Sequence, residues 1–477
     1  MSESLMHQSL HPAQSGQSLP TYTKVLYGLG YVPDVIMNNI VGVLAMMIYN
    51  VELGVPATWI GLALSLPRLW EAFTDPYIGN LSDNARTRWG RRRPFIVAGT
   101  VLAGILCAFM WMPPRSLGHG GLLAFFLILS ILYFTAYAVY SVPYLALGLE
   151  LTSNDSDRTS LMGFRAAAVP FAYIAIMPWV PVLVTNGWLG STPVESVRII
   201  GVAMGVLIAI LGVLAAVTCR ERSGSGKLEG GHTGVVAGFK QCMKNGPFLM
   251  VAGIVSLTVI GFCVATGLVY YLNLTVVFPG GTLAQKEAAT KLASICMVVS
   301  NLCGMAFCPM VNPLAQRIGR KRLLLIGFVG LIGAFLLSPI LFSKSLPYLQ
   351  LVFHTVVTLS VSCVWVLTLP MLGDVCDIDQ IQNGTRREGV FTAMFNWGIK
   401  AAIASCSLLL GIIIDFSGFN AELPQQSHFT VTALFVACAL VPLPFLMACV
   451  YMTIKFPLSP ERIAELRQSK ESMAAAG

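Results

Sequence analysis

Charge is scarce in this chain. Asp, Glu, Lys and Arg make up 11% of its 477 residues, against about 25% in ordinary soluble domains, while 56% are hydrophobic. With a mean hydropathy of +0.74, that shortage excludes a soluble globular protein and indicates an integral membrane protein. Cys-x-x-Cys pairs and Cys/His ligand spacings are missing too. The twelve cysteines stand singly, mostly in apolar runs such as those of Cys107, Cys263 and Cys363, and read as small buried hydrophobes rather than disulfide or metal partners. No His-Glu-x-x-His, Gly-x-Ser-x-Gly or phosphate-loop string occurs, which argues against a membrane-embedded enzyme. Residues 1–19 lack both a basic start and an apolar core, so a cytosolic tail is expected there and not a cleaved signal peptide.

What is present is apolar sequence in runs of about 20 residues, the length that crosses a hydrocarbon core. They lie near 25–49, 56–80, 94–112, 122–149, 161–184, 198–218, 247–277, 289–311, 322–342, 347–373, 389–414 and 429–454. The expected fold is therefore an all-α membrane protein with twelve transmembrane helices. Loops after even-numbered spans hold Arg86, Arg88, Arg91, Arg92 and Arg93, then Arg158, then Arg220, Arg222, Lys227, Lys240 and Lys244. Further on come Arg317, Arg320, Lys321, Arg322, Arg386 and Arg387, whereas the alternate loops carry only Arg115, Arg198, Lys286, Lys291 and Lys344. This asymmetry puts the basic loops and both termini in the cytoplasm. The net charge of +8 is thus a topology signal, and no nucleic-acid partner is expected.

The longest polar linker, 220–244, contains Ser223-Gly224-Ser225-Gly226 and divides the spans six and six. Expected units are a cytosolic tail 1–21, six-helix bundles 22–219 and 245–455 on either side of the linker, and a cytosolic tail 456–477. The halves echo one another: Gly90-Arg91-Arg92-Arg93 follows the second span and Gly319-Arg320-Lys321-Arg322 the eighth. Such internal symmetry is what a two-bundle transporter built by duplication shows.

The rare intramembrane charges carry the function. Arg68, Glu71 and Asp75 stand at i, i+3 and i+7, on one stripe of a helix. An unpaired charge at that depth costs roughly 2.5 to 3.5 kcal/mol. One cation against two anions leaves negative charge that a proton or metal cation can complete; the alternative is a structural ion-pair cluster. Pro76 leaves the Ala72 carbonyl without its helical donor, close to Asp75. Lys400 lies about eleven residues into its span, too deep to snorkel easily, and needs a carboxylate, for which the second-span acids are the obvious partner.

Other positions keep two readings. Asp34, in a span with Asn38 and Asn39, is either a binding carboxylate or a kink partner of Pro33. Arg165 either contacts substrate or caps its span. Tyr137, Tyr140, Tyr144 and Trp365 either pack or line a cavity. Asp83 with Arg91 and Arg92 suggests a latch across the bundle interface, and Asp374 and Asp377 near Arg386 and Arg387 a gate salt bridge. His354 reads as a packed histidine.

The string Gly79, Asp83, Gly90, Arg91 and Arg92 resembles the loop motif of the major facilitator superfamily. Arg68 through Gly79, Arg88-Trp89-Gly90-Arg91-Arg92-Arg93-Pro94, residues 24–30 and Gly373-Asp374-Val375-Cys376-Asp377 narrow the likeness to the glycoside–pentoside–hexuronide:cation symporters, the branch of melibiose permease. The resemblance covers nearly the whole chain. It implies that Glu71 and Asp75 form the cation site (binding Na⁺ if the carrier is sodium-coupled), with Asn396 and Lys400 beside them. It implies further that Asp34 and Arg165 bind sugar hydroxyls, that Tyr137 keeps a family position, and that Trp365 matches a family tryptophan. The family aspartate that grips the sugar falls on Ser141, and the stacking tryptophan on Leu145, which argues against a galactoside.

The resulting expectation is symport of a sugar or glycoside with H⁺ or Na⁺ by alternating access, with Arg68 among the gating charges. A cation-coupled carrier of a lysolipid or another amphiphile is the alternative. No cofactor beyond the cation, a monomer, and a bacterial inner membrane complete it.

Overall fold

A computed structural model describes residues 19–114, 116–152, 154–219, 242–383, 388–421, 423 and 425–457, and among these no strand occurs. Most of the 220–244 linker, Arg115, Arg386, Arg387 and most of both tails lie outside the described residues. The first half contains α1 (Thr21–Ala45, continued by a π-helical stretch Met46–Glu52), α2 (Ala57–Asn84), α3 (Arg93–Met110) and α4 (His119–Glu150). It ends with α5 (Asp155–Ala175, resumed as a short helix Trp179–Thr185) and α6 (Pro193–Thr218). The second half contains α7 (Gly246–Leu272, with a π-helical turn Asn273–Val277), α8 (Leu283–Ile318), α9 (Arg320–Leu336) and α10 (Gln350–Asn383). It closes with α11 (Glu388–Phe416) and α12, in two pieces, His428–Leu440 and Pro442–Lys455.

Among the described residues, ten helices are long and apolar enough to cross a membrane. The two others are α2, whose charged stripe lowers its hydropathy, and α9, which is 17 residues long. Both stand where the sequence places spans. Helix ends are set by local chemistry: Asn154, Thr192, Asn245 and Ser427 accept from free backbone N–H groups at the starts of α5, α6, α7 and α12. Thr282 and Gln285 form a reciprocal capping box on α8. Gly319, at φ 93°, turns α8 directly into α9, a conformation that a side chain resists.

In the first half α3 packs on α6 and α4, α1 on α5 and α6, and α2 on α4; in the second, α7 packs on α11 and α12, and α10 on α8 and α9. Hydrocarbon gives helices no hydrophobic drive toward one another, so close approach through small residues matters. Gly104 of α3 and Gly205 of α6 meet so tightly that a Cβ on either would collide with the other's carbonyl.

Two helix pairs join the halves, α2 with α11 and α5 with α8. The α2–α11 seam is antiparallel: Gly61 lies against the Ser407 carbonyl, Ser65 Oγ donates to the Ala404 carbonyl at 2.6 Å, and Gly411 lies against the Ala57 carbonyl. At one face of the molecule the halves are closed on each other. There Asn50 accepts from Tyr271 Oη at 2.9 Å, Lys286 pairs with Glu52 at 2.5 Å, Thr185 bonds Thr290 at 2.7 Å and Ser294 donates to the Pro178 carbonyl. These residues sit at helix ends opposite the arginine-rich loops.

The same face holds an inter-bundle cap. Pro56, at the start of α2, has no side-chain acceptor, and Asp415 of α11 takes its place, accepting from Ala57 N at 2.8 Å and Thr58 N at 2.7 Å. Losing such a cap costs about 1 kcal/mol, roughly a fivefold change in an equilibrium. Asp415→Ala is therefore expected to open this face about fivefold more often, read as faster labelling of a cysteine placed at Thr58; unchanged labelling would remove Asp415 from the closure.

Candidate cation and substrate site

The charged stripe of α2 faces inward and meets the other half. Glu71 is fully buried and Arg68 nearly so, with their charged groups 3.5 Å apart. Lys400 of α11 brings its ammonium to 3.2 Å from Glu71 Oε2 and into contact with Asp75 Oδ2. Side-chain exposures of 23% for Lys400 and 32% for Asp75 leave this pair reachable by water, unlike Glu71. Neither Glu71 oxygen has a hydrogen-bond donor among the described residues. Two carboxylates of α2 thus converge on one ammonium of α11 where the two halves meet. Among the described residues no three His, Cys, Asp or Glu side chains gather as a metal cluster.

A second polar group lies in the first half, between α1, α4 and α5. Asp34 is buried and its Oδ1 accepts from Ser141 Oγ at 2.6 Å. One turn along each helix, Asn38 Nδ2 donates to Tyr137 Oη at 3.4 Å. Tyr173 Oη donates to Asn39 Oδ1 at 3.0 Å, and the Arg165 guanidinium lies over the Tyr31 ring at 4.3 Å. Arg165 is therefore stacked among aromatics beside the polar group. Tyr140 and Tyr144 are fully buried and donate to the Gly30 and Tyr27 carbonyls of α1, which makes them packing residues.

The remaining expected residues fall as follows. Asn396 lies one turn before Lys400 on α11 and is exposed. Trp365 stands on α10 of the other half, 40% exposed, with no hydrogen bond or ring contact among the described residues. His354 is a packed histidine, edge-on to Phe353. For the expected latch, Arg92 binds Asp83 and Glu150, each at 2.8 Å, and Arg91 binds Glu150 at 2.6 Å, contacts that tie α2, α3 and α4 together. Asp374 pairs with Arg320 at 2.9 Å, and Asp377 lies on the same stretch of α10; Arg386 and Arg387, the expected gate partners, lie outside the described residues.

Sequence reasoning passed over Glu150, Asp415, Glu52 and Tyr31. The first three are charges at helix ends, where they resemble ordinary interfacial residues until the facing helix is known. Tyr31 differs from other aromatics only by its neighbour Arg165.

Comparison with known proteins places these features in company. A family model described as MFS/sugar transport protein matches residues 26–460. The glucuronide carrier protein homolog of Escherichia coli is 24% identical, over 94% of this chain and 95% of its own length. The isoprimeverose transporter of Lactiplantibacillus pentosus is 22% identical, over 90% and 88%. The sodium-dependent lysophosphatidylcholine symporter 1-A of Danio rerio is 24% identical, over 94% and 87%. Among solved structures, an inward-facing bacterial homologue of the human lysosomal transporter Spinster superposes with a TM-score of 0.62 at 15% identity, over 92% of this chain and 98% of that one. A D-xylose–proton symporter gives 0.57 at 16% identity, over 89% and 96%.

Proposed function

The chain belongs to the MFS/sugar transport protein family, and from that premise we infer that it is a secondary active carrier coupling a sugar or glycoside to H⁺ or Na⁺ by alternating access. The observation that carries the reading is the single ammonium of Lys400, on one half, held by Glu71 and Asp75 of the other. When a cation binds the two carboxylates, the lysine loses its partners and the attraction that ties α2 to α11 is redistributed. When the cation leaves, Lys400 returns as a tethered substitute, so the empty carrier changes face without burying two unpaired anions. Asp34 and Ser141, with Tyr137 and Arg165 near them, offer the acceptors, donors and aromatic surface that sugar hydroxyls and C–H edges require.

The closure through Glu52, Lys286 and Asp415 lies opposite the basic loops. With those loops and both termini cytoplasmic, the carrier is closed to the outside. A bacterial inner membrane and a monomeric carrier with no cofactor beyond the cation complete this reading. A lysolipid carrier is the second reading, raised by the lysophosphatidylcholine symporter; the polar group around Asp34 suits hydroxyls better than an acyl chain.

The test uses proteoliposomes and five radiolabelled solutes: methyl glucuronide, isoprimeverose, melibiose, sucrose and lysophosphatidylcholine. Each is offered with and without an inward Na⁺ or proton gradient. At least one sugar other than melibiose is expected to accumulate and to stop doing so when the gradient is collapsed. Uptake that ignores both gradients, or of the lysolipid alone, would overturn the reading.

A further inference from the structure

Two turns of α1 and two of α4 form a ladder of two rungs. Asp34 and Asn38 are four residues apart on α1, and Tyr137 and Ser141 are four apart on α4, so each pair shares a helix face. Ser141 bonds Asp34 at 2.6 Å and Asn38 bonds Tyr137 at 3.4 Å, which closes the ladder at both ends. The end formed by Asn38 is also where the α2 charge stripe arrives. The Arg68 guanidinium donates to the Asn38 backbone carbonyl, while its Nη1 stays 3.5 Å from Glu71. The same guanidinium lies over the Phe134 ring at 4.2 Å, and that ring packs edge-on against Tyr137, with centroids 6.4 Å apart at 90°. Arg68 therefore reaches Tyr137 by two routes, through Asn38 and through Phe134.

We propose that Asn38 is the positioning residue through which cation occupancy at Glu71 and Asp75 sets the grip of the Asp34–Ser141–Tyr137 group on sugar. The inference rests on the symport reading above and names the part that makes the two sites cooperate. Arg68 divides its charge between an ion pair with Glu71 and a hydrogen bond to the Asn38 carbonyl. A cation on Glu71 weakens that carboxylate's claim on Arg68, and the guanidinium is then held by the Asn38 carbonyl and Phe134 alone. The Asn38 amide then holds Tyr137 in the orientation in which its hydroxyl faces the sugar. Reciprocity requires sugar to tighten the cation by the same factor, commonly about 5- to 150-fold between linked sites. Removing the amide should leave both sites able to bind and should reduce their mutual effect to what the Phe134 contact still carries.

The test compares the unmodified carrier with Asn38→Leu, which keeps the volume and drops the amide, and Asn38→Ser, which restores a short hydrogen-bonding group. The probe is whichever radiolabelled sugar of the panel the unmodified carrier accumulates best. Its affinity is measured at zero and at saturating coupling cation, and sugar exchange across vesicles is measured without a gradient. For Asn38→Leu the ratio of the two affinities is expected to fall toward 1, with the cation-free affinity and the exchange rate within about threefold of the unmodified protein. Asn38→Ser is expected to recover part of the ratio, which also guards against a leucine variant that does not fold. An unchanged ratio in both variants overturns the proposal, as does a loss of cation-free sugar affinity, which would make Asn38 a sugar contact. If the unmodified carrier shows no cation dependence for any sugar, the symport reading itself falls. If it does and the variants match it, only the role of Asn38 falls.

Discussion

Lys400→Met is expected to lose gradient-driven accumulation by at least tenfold while sugar exchange at equal concentrations stays within about threefold. The ammonium is the group that stands between Glu71 and Asp75 when no other cation is there. Removing the lysine leaves buried Glu71 with only Arg68 as partner, and losing a partner of a buried acid costs up to about 3 kcal/mol, where each 1.4 kcal/mol is a factor of about ten. On the proposed cation site, without the lysine the two acids keep their cation instead of surrendering it, so the loaded carrier still exchanges sugar but cannot return empty. Net uptake and exchange measured side by side in proteoliposomes separate the outcomes. Both intact would remove Lys400 from the site. Both lost equally would make it a sugar ligand and not the tethered cation.

The second large effect belongs to the seam. Gly61→Val and Gly411→Val are each expected to reduce transport at least tenfold while leaving sugar binding from the outer side in place. At both positions a Cβ would fall onto backbone of the facing helix, the Ser407 carbonyl for Gly61 and the Ala57 carbonyl for Gly411. Backbone cannot swing aside as a flexible side chain can, so the outer face must stay apart. Labelling of cysteines placed along α11 near Gly411 reads this directly: access from outside should rise in both variants. Normal uptake with normal labelling would mean that the face need not close as tightly as this structure has it.

Much of this was legible in residue order because hydrocarbon makes charge conspicuous. Arg68, Glu71, Asp75 and Lys400 stand out in apolar runs, and the need of each for a partner nearly dictates their meeting. Asp34 was visible for the same reason, and the Ser141 hydroxyl that bonds it came from a position in a pattern. Loop charges were harder. The carboxylate that engages Arg91 and Arg92 is Glu150, at the far end of α4, and only the packing of α4 beside α2 and α3 brings it there. Asp415 reads as an ordinary interfacial acid until α11 is laid antiparallel to α2 and its side chain reaches two free N–H groups. Asn38 was seen as one polar residue among several. Its distinction, a backbone oxygen held by Arg68 and an amide on Tyr137, exists only in three dimensions.

Lys400 sits near the middle of α11, and Asp415 near its end. Fifteen helical residues separate them, an arm of about 22 Å at 1.5 Å per residue. A tilt of roughly 10° about the lysine moves Asp415 by about 4 Å, enough to part it from Ala57 and Thr58, while the ammonium itself hardly shifts. In the alternating-access cycle proposed above, the ionic tie serves as the fulcrum of a rocker. Its energy can change with what binds there while its geometry stays almost still, so the stroke is expressed at the rim.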